Sequence, residues 1–235
     1  MKTDRFLEMY KELEELLSLQ YMANERKYSS PIMEYINDKS NPYYREELNT
    51  CREIRNLLAH HADIGGKSIV EPSEEILQLM EEILRYVSNP PLALDCATPF
   101  ERLLTATPDQ KAYSVMFKMK GRGFSHVPVL EYGKFVGVFS VSTPFAYALE
   151  HNEGMRREFT IADFGELLLI DNHCTERFMF ADKNMTVRKA GKAFETVGSN
   201  KKRLAMILIT EHGRMNEPIL GVLTPFDVLH INEKE

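Results

Sequence analysis

One order of elements, strand, turn, strand and helix start, occurs twice in this 235-residue chain, and that repeat constrains the fold more than any other feature. The clearer copy runs from Arg203 to Asp227. Its apolar run, Leu204 to Thr210, lacks strict alternation, as suits a strand buried on both faces, and the polar turn Glu211 to Glu217 follows. In Gly221-Val-Leu-Thr-Pro-Phe-Asp227, Thr224 stands where an N-cap belongs, Pro225 takes the first helical position, and Asp227 falls three residues after the cap, as a capping box requires. The second copy comprises Gly123 to Leu130, a turn at Glu131-Tyr-Gly-Lys134, and Gly137 to Thr143, with Gly137 and Gly221 84 positions apart (221 − 137). Helix-period segments at Asp109–Lys120 and Thr186–Val197 precede the two copies, each after a short strand candidate.

The length allows one large domain or two modest ones, and the repeat decides for two. A hydrophobic fraction of 43% and a charged fraction of 27% are ordinary for a globular protein. No apolar run approaches the roughly 20 residues that span a bilayer. Met1-Lys-Thr-Asp-Arg-Phe6 has no signal-peptide core, so a cytoplasmic location without membrane contact is expected. Cys51, Cys96 and Cys174, an odd number at wide spacing, make neither a disulfide framework nor a metal pair.

Residues 1 to 90 read as a helical bundle with no strand signal. Phe6, Met9, Tyr10, Leu13, Leu16 and Leu17 recur at helical steps from Thr3 to about Met22. Ser30-Pro31 and Asn41-Pro42 are start signals for a short helix and a longer one, which carries Leu48, Cys51, Ile54, Leu57 and Leu58 inward and stops near Asp63, before Gly65-Gly66. Pro72-Ser-Glu-Glu75 opens a fourth helix with Ile76, Met80, Ile83, Leu84 and Val87 on one face, ended by Asn89-Pro-Pro91. This part holds 11 Lys+Arg against 17 Asp+Glu, hence −6. The remainder, 29 − 11 = 18 against 35 − 17 = 18, is neutral. An acidic helical half argues against broad electrostatic capture of RNA.

The Gly-apolar-apolar-Thr/Ser-x-x-Asp ending, the strand His126-Val-Pro-Val129 and their order over residues 95 to 233 resemble the CBS-domain family, whose members come as tandem pairs. The fold this implies is α+β: an all-α helical bundle over residues 1–90, then a tandem pair of β-α-β-β-α units over 91–235, module one at about 95–150 and module two at about 160–235. It further implies a regulatory adenine nucleotide, AMP, ADP or ATP, or a related adenosyl ligand. Asp227 would accept both ribose hydroxyls, Thr224 and the helix start would face the phosphates beside Gly221, and the edge Leu204, Ala205 and Met206 would read the adenine. Lys201, Lys202 and Arg203 lie within reach of a phosphate. A carboxylate can accept two hydrogen bonds from a vicinal diol, yet Thr224 and Asp227 would serve equally well as a helix cap. In module one Thr143 stands where the Asp belongs, with Ser140 as the Thr equivalent. That half-site, with His126 and Pro128 on its strand, is expected to be weaker or empty, and Thr143-Pro144 would cap and start a helix.

In the third helix, Arg55-Asn56-x-x-x-His60 resembles the R-N-x-x-x-H signature of HEPN helical bundles, which include metal-independent ribonucleases. The resemblance implies Arg55, Asn56 and His60 as a catalytic set assembled across a homodimer, with His as general acid or base and Arg holding the phosphate. Five helical positions turn through about 500°, so Arg55 and His60 point about 140° apart on a continuous helix. The alternative is an Arg55 paired with a bundle carboxylate and histidines at a helix C-terminus. A metal site from His60, His61 and Asp63 is not expected, because adjacent histidines face different sides of a helix. The chain lacks a nucleophile elbow, a dinucleotide-binding turn and a Walker loop. The sequence therefore points to a sensor that signals to its helical domain, to a ribonuclease gated by that sensor, or to a ligand-free dimerisation scaffold.

Overall fold

The computed structural model describes residues 2–21, 30–41, 43–60, 63–64, 67–68, 71–198 and 201–229. Pro42, His61, Gly65, Gly66 and the polar end 232–235 lie outside the described residues, as do the side chains of His60 and Asp63. The chain divides into two compact units, Met1–Pro91 and Leu92–Glu235, and the fold is α+β.

The first unit contains α1 (Lys2–Tyr21), α2 (Pro31–Asn37), α3 (Arg45–His60) and α4 (Glu74–Ser88). Steps of three and four residues bury Phe6, Tyr10, Leu13 and Leu17 of α1 against Leu77, Met80, Ile83 and Val87 of α4, with Ile32, Tyr35, Leu48, Cys51 and Leu58 completing the core. Ser30 and Ser73 cap α2 and α4 through hydrogen bonds accepted from Met33 N and Ile76 N. Three expectations are corrected. The third helix begins at Arg45, after Tyr44 in the left-handed region (φ 62°), rather than at Pro42. Leu57 is 48% exposed, because the buried stripe passes from Ile54 to Leu58. A two-residue hairpin, β1 (Asp63–Ile64) with β2 (Lys67–Ser68), follows α3 where no strand was expected, since pairs this short leave no period to detect.

The second unit holds both copies of the repeat. Module one comprises α6 (Ala112–Arg122), β4 (His126–Glu131), β5 (Lys134–Ser140) and α7 (Thr143–His151), with Ala106 bridging Val129 in parallel. Module two comprises β6 (Glu176–Asp182), α8 (Val187–Glu195), β7 (Arg203–Thr210), β8 (Gly221–Leu223) and α9 (Pro225–Leu229). Strand β6 runs parallel to β7, and β8 antiparallel to it. Leu130, Phe135 and Val138 of module one meet Phe178, Met206, Leu208 and Val222 of module two in a shared apolar core.

Each module is completed by the stretch that precedes the other. The lead-in to module one, α5 (Ala93–Cys96) and β3 (Thr98–Pro99), lies on module two: Ala93 N–H donates to Met185 O at 2.7 Å, and β3 pairs with β8, Pro99 opposite Gly221. The lead-in to module two, the 3-10 segment Ile161–Leu168, lies on module one, where Ile161 N–H donates to Gln110 O and Ala162 N–H to Pro108 O, both at 2.9 Å. Its Ile161, Phe164 and Leu168 bury with Val115, Val127 and Phe139. The two repeat glycines mark the contacts: Gly137 lies against the backbone of Leu168, and Gly221 against Ala97 and Thr98. This exchange removes apolar faces that neither module covers with its own chain.

Candidate functional site

The end of β8 places the residues expected to hold a ribose. Strand β8 stops at Leu223, opposite Ile207, so Arg203 to Met206 of β7 run past it on that side while β6 pairs along the other edge. A bulge at Arg177/Phe178 leaves Ala205 without a Cα partner, half-buried between the buried side chains of Leu204 and Met206, which point into different cores. Thr224 and Asp227 form one half of the expected capping box, the Asp227 N–H going instead to the Thr224 carbonyl. Asp227 Oδ2 accepts both Thr224 N–H and the Thr224 hydroxyl at 2.7 Å. No donor among the described residues reaches Asp227 Oδ1, and the residue stays half-exposed. One oxygen is therefore engaged at the helix start, and the other has no donor among the described residues.

Gly221 has a packing role visible in the geometry: a Cβ there would meet Thr98 O at 3.1 Å and Ala97 Cβ at 3.3 Å. Arg203 and Lys201 are exposed, whereas Lys202 Nζ donates to Asp171 O at 2.9 Å.

Module one differs. Ser140 and Thr143 are buried, and Thr143 Oγ1 accepts from Ser140 N at 3.0 Å. Ser142 is the N-cap of α7, with Thr143 and Pro144 already helical, so the expected cap at Thr143 is corrected by one residue. Ser142 Oγ lies 2.7 Å from Ser140 Oγ and donates to Glu176 Oε2 at 3.4 Å. His126 Nε2 lies 3.0 Å from Glu176 Oε1, and His173, 5% exposed, brings Nδ1 within 3.9 Å of Glu176 Oε2. Pro128 is buried within β4, opposite Val138, and its carbonyl accepts Ala106 N–H at 3.0 Å. Ser140 and Thr143 thus bond each other, while His126 and Ser142 engage Glu176 of module two. Glu176 and His173, which sequence reasoning missed, belong to this cluster; a charged residue at the head of an apolar strand was the available signal.

The His126 ring holds the Glu176 carboxyl below the usual carboxylate range, aided by His173 and Ser142 and opposed by burial. Burial pushes the His173 imidazole down, against the pull of Glu176 and the Leu168 and Val138 carbonyls.

In the helical unit, α3 continues through His60, whose side chain lies outside the described residues. The Arg55 guanidinium lies 5.6 Å from the centre of the Tyr10 ring, and its Nη1 donates to Asn56 Oδ1 at 3.4 Å. Arg55 makes no ion pair with a carboxylate among the described residues.

Among the described residues, no group of three His, Cys, Asp or Glu side chains could hold a metal ion, and no helix is long and apolar enough to cross a membrane.

The second unit is thus a pair of β-α-β-β-α modules, one ending in the Thr224/Asp227 pair and the other in a buried cluster of hydroxyls. Residues 95–143 match the CBS domain family, a match that ends at Thr143. No curated protein matches the chain. Among solved structures, it is similar to the CBS domain of a bacterial CNNM/CorC family Mg2+ transporter in complex with ATP (17% identity, TM-score 0.44, covering 66% of this chain and 97% of that one). It is also similar to CBSX2 in complex with AMP (14%, TM-score 0.43, 61% and 97%). A third is the CBS domain of a putative transporter from Clostridium difficile 630 (14%, TM-score 0.40, 60% and 92%).

Proposed function

We propose that this protein is a regulatory sensor whose second module binds an adenosyl ligand, AMP, ADP, ATP or a relative, and whose helical unit, residues 1–91, takes the output. The observation that carries the proposal is the division of labour at Asp227: Oδ2 is anchored by Thr224, while Oδ1 has no donor among the described residues. A vicinal diol supplies two donors to such a carboxylate, and the backbone of Leu204 to Met206 beyond the end of β8 offers hydrogen-bonding groups to a base edge. The exposed Arg203 supplies a cation for phosphate. In module one, Thr143 cannot replace a carboxylate, and Ser140 and Thr143 bond each other, so one ligand per chain is expected.

Isothermal titration calorimetry with AMP, ADP, ATP and S-adenosylmethionine tests this. Heat at a stoichiometry of about one with at least one of them is expected; no heat with any would remove the sensing role.

The same reading takes a homodimer. Phe117 on α6 is 79% exposed, and Phe145 and Leu149 on α7 are 66% and 69% exposed, more apolar surface than a monomer gains from leaving in water. Light scattering should give twice the 27.2 kDa chain mass, and Phe117→Glu with Phe145→Glu should return it to the monomer value. A wild-type monomer at micromolar concentration would contradict the pairing.

A further inference from the structure

We propose that His126, Glu176 and His173 form a proton-operated latch between the two modules, closed while the buried His173 ring is neutral and released when a proton enters it. The three residues come from separate elements: His126 opens β4 of module one, Glu176 opens β6 of module two, and His173 lies in the connection before β6. Glu176 therefore spans the boundary, with His126 on Oε1 at 3.0 Å and the Ser142 hydroxyl on Oε2 at 3.4 Å.

The surroundings restrict what can balance the charge. Arg203 lies opposite Glu176 in the β6–β7 ladder but is exposed, Arg177 donates to the Ala193 and Thr196 carbonyls, and Lys202 donates to Asp171 O. Among the described residues, only the two imidazoles stand within 4 Å of the carboxylate as potential cations. From β5 and the start of α7 the facing groups are the hydroxyls of Ser140, Ser142 and Thr143, and Ser125 Oγ lies 2.8 Å from His126 Nδ1. Phe178 lies edge-on to both rings, at 4.8 Å from His173 and 5.7 Å from His126, and packs beside the buried His173 ring.

Glu176 Oε1 is engaged by His126 and Oε2 by Ser142, and His173 reaches the carboxylate only at 3.9 Å, so a charge on the buried His173 ring would be poorly compensated and would strain the contact between modules.

The direction of the pH effect follows. His173 is held below its ordinary value, so its contribution to stability is present above about pH 6.5 and is lost as pH falls below that toward the folded value. The Glu176 contribution is likewise present above about pH 4.3 and lost as pH falls through its lowered value. Between pH 7.5 and 5.5 the Glu176 contribution stays in place, and comparison with His173→Gln isolates the His173 part. The latch needs no ligand, so its test is independent of nucleotide binding.

Imidazole C2–H signals of the ligand-free full chain, with His173 assigned through His173→Gln, should show His173 titrating below about pH 6.5. Glu176→Gln should move that titration further down, because the carboxylate favours the proton on His173. Thermal unfolding followed by methyl signals of Val127, Val129 and Leu208 should drop by about 3 °C or more from pH 7.5 to 5.5 in wild type, and His173→Gln should remove most of the drop. His173 titrating at or above the ordinary value, or a drop unchanged in His173→Gln, would overturn the latch. Should Glu176→Gln fail to fold, the wild-type titration alone decides.

Discussion

Gly137→Ala is expected to destabilise the module pair by about 3 kcal/mol, the largest loss expected from alanine at any of the described glycines. Its cause is steric. A Cβ at position 137 would run into the Leu168 carbonyl oxygen, with the Leu168 carbonyl carbon at 2.8 Å and Leu168 Cβ at 3.0 Å. These are mostly backbone atoms of a segment anchored on module one by Ile161 and Ala162 hydrogen bonds and by buried Ile161, Phe164 and Leu168, so no flexible side-chain end can swing aside. Gly221→Ala at the equivalent position should cost only about 1 kcal/mol, because its nearest neighbour, Thr98 O, lies at 3.1 Å and a small shift suffices. Urea unfolding of both variants, read on residues of the 92–235 unit, checks the ranking. Equal losses, or none at Gly137, would mean that the exchanged lead-in does not hold the modules together.

Asp227→Ala is expected to weaken the adenosyl ligand about 100-fold or more, since two hydrogen bonds to a charged acceptor are worth about 1.5 kcal/mol or more each and 1.4 kcal/mol is a tenfold change. The same substitution removes the capping interaction with Thr224 and costs about 1 kcal/mol of stability, so the two roles must be separated. A 2′-deoxy ligand does so. It should bind wild type at least tenfold more weakly than its ribo parent, while in Asp227→Ala the two should bind alike, because the group that distinguishes them is gone. A ribo/deoxy difference that persists in the variant would leave Asp227 as a helix cap and place the sugar elsewhere.

Much of this was legible in the residues because it rests on local rules. The stripe Phe6, Tyr10, Leu13, Leu17 gives a helical face, and Thr224-Pro225-x-Asp227 gives a capped helix start. The repeat of glycine-led strands gives two like modules, and the Thr143 replacement marks their inequality. The hairpin at 63–64 and 67–68 was not legible, since two residues per strand carry no period. Nor was the exposure of Leu57, because an apolar residue one position off the stripe looks the same in sequence.

The sequence by itself determined the two-part α+β order and the residue types at the end of each repeat, since periodicity, capping and turn chemistry act over a few residues. Only the tertiary structure decided that each lead-in completes the opposite module. It alone brought Glu176 and His173 to His126 and left Asp227 Oδ1 open while the module-one hydroxyls closed on themselves. Those contacts join residues from 3 to more than 100 positions apart, and burial of surfaces across the chain selects them where no local pattern records it.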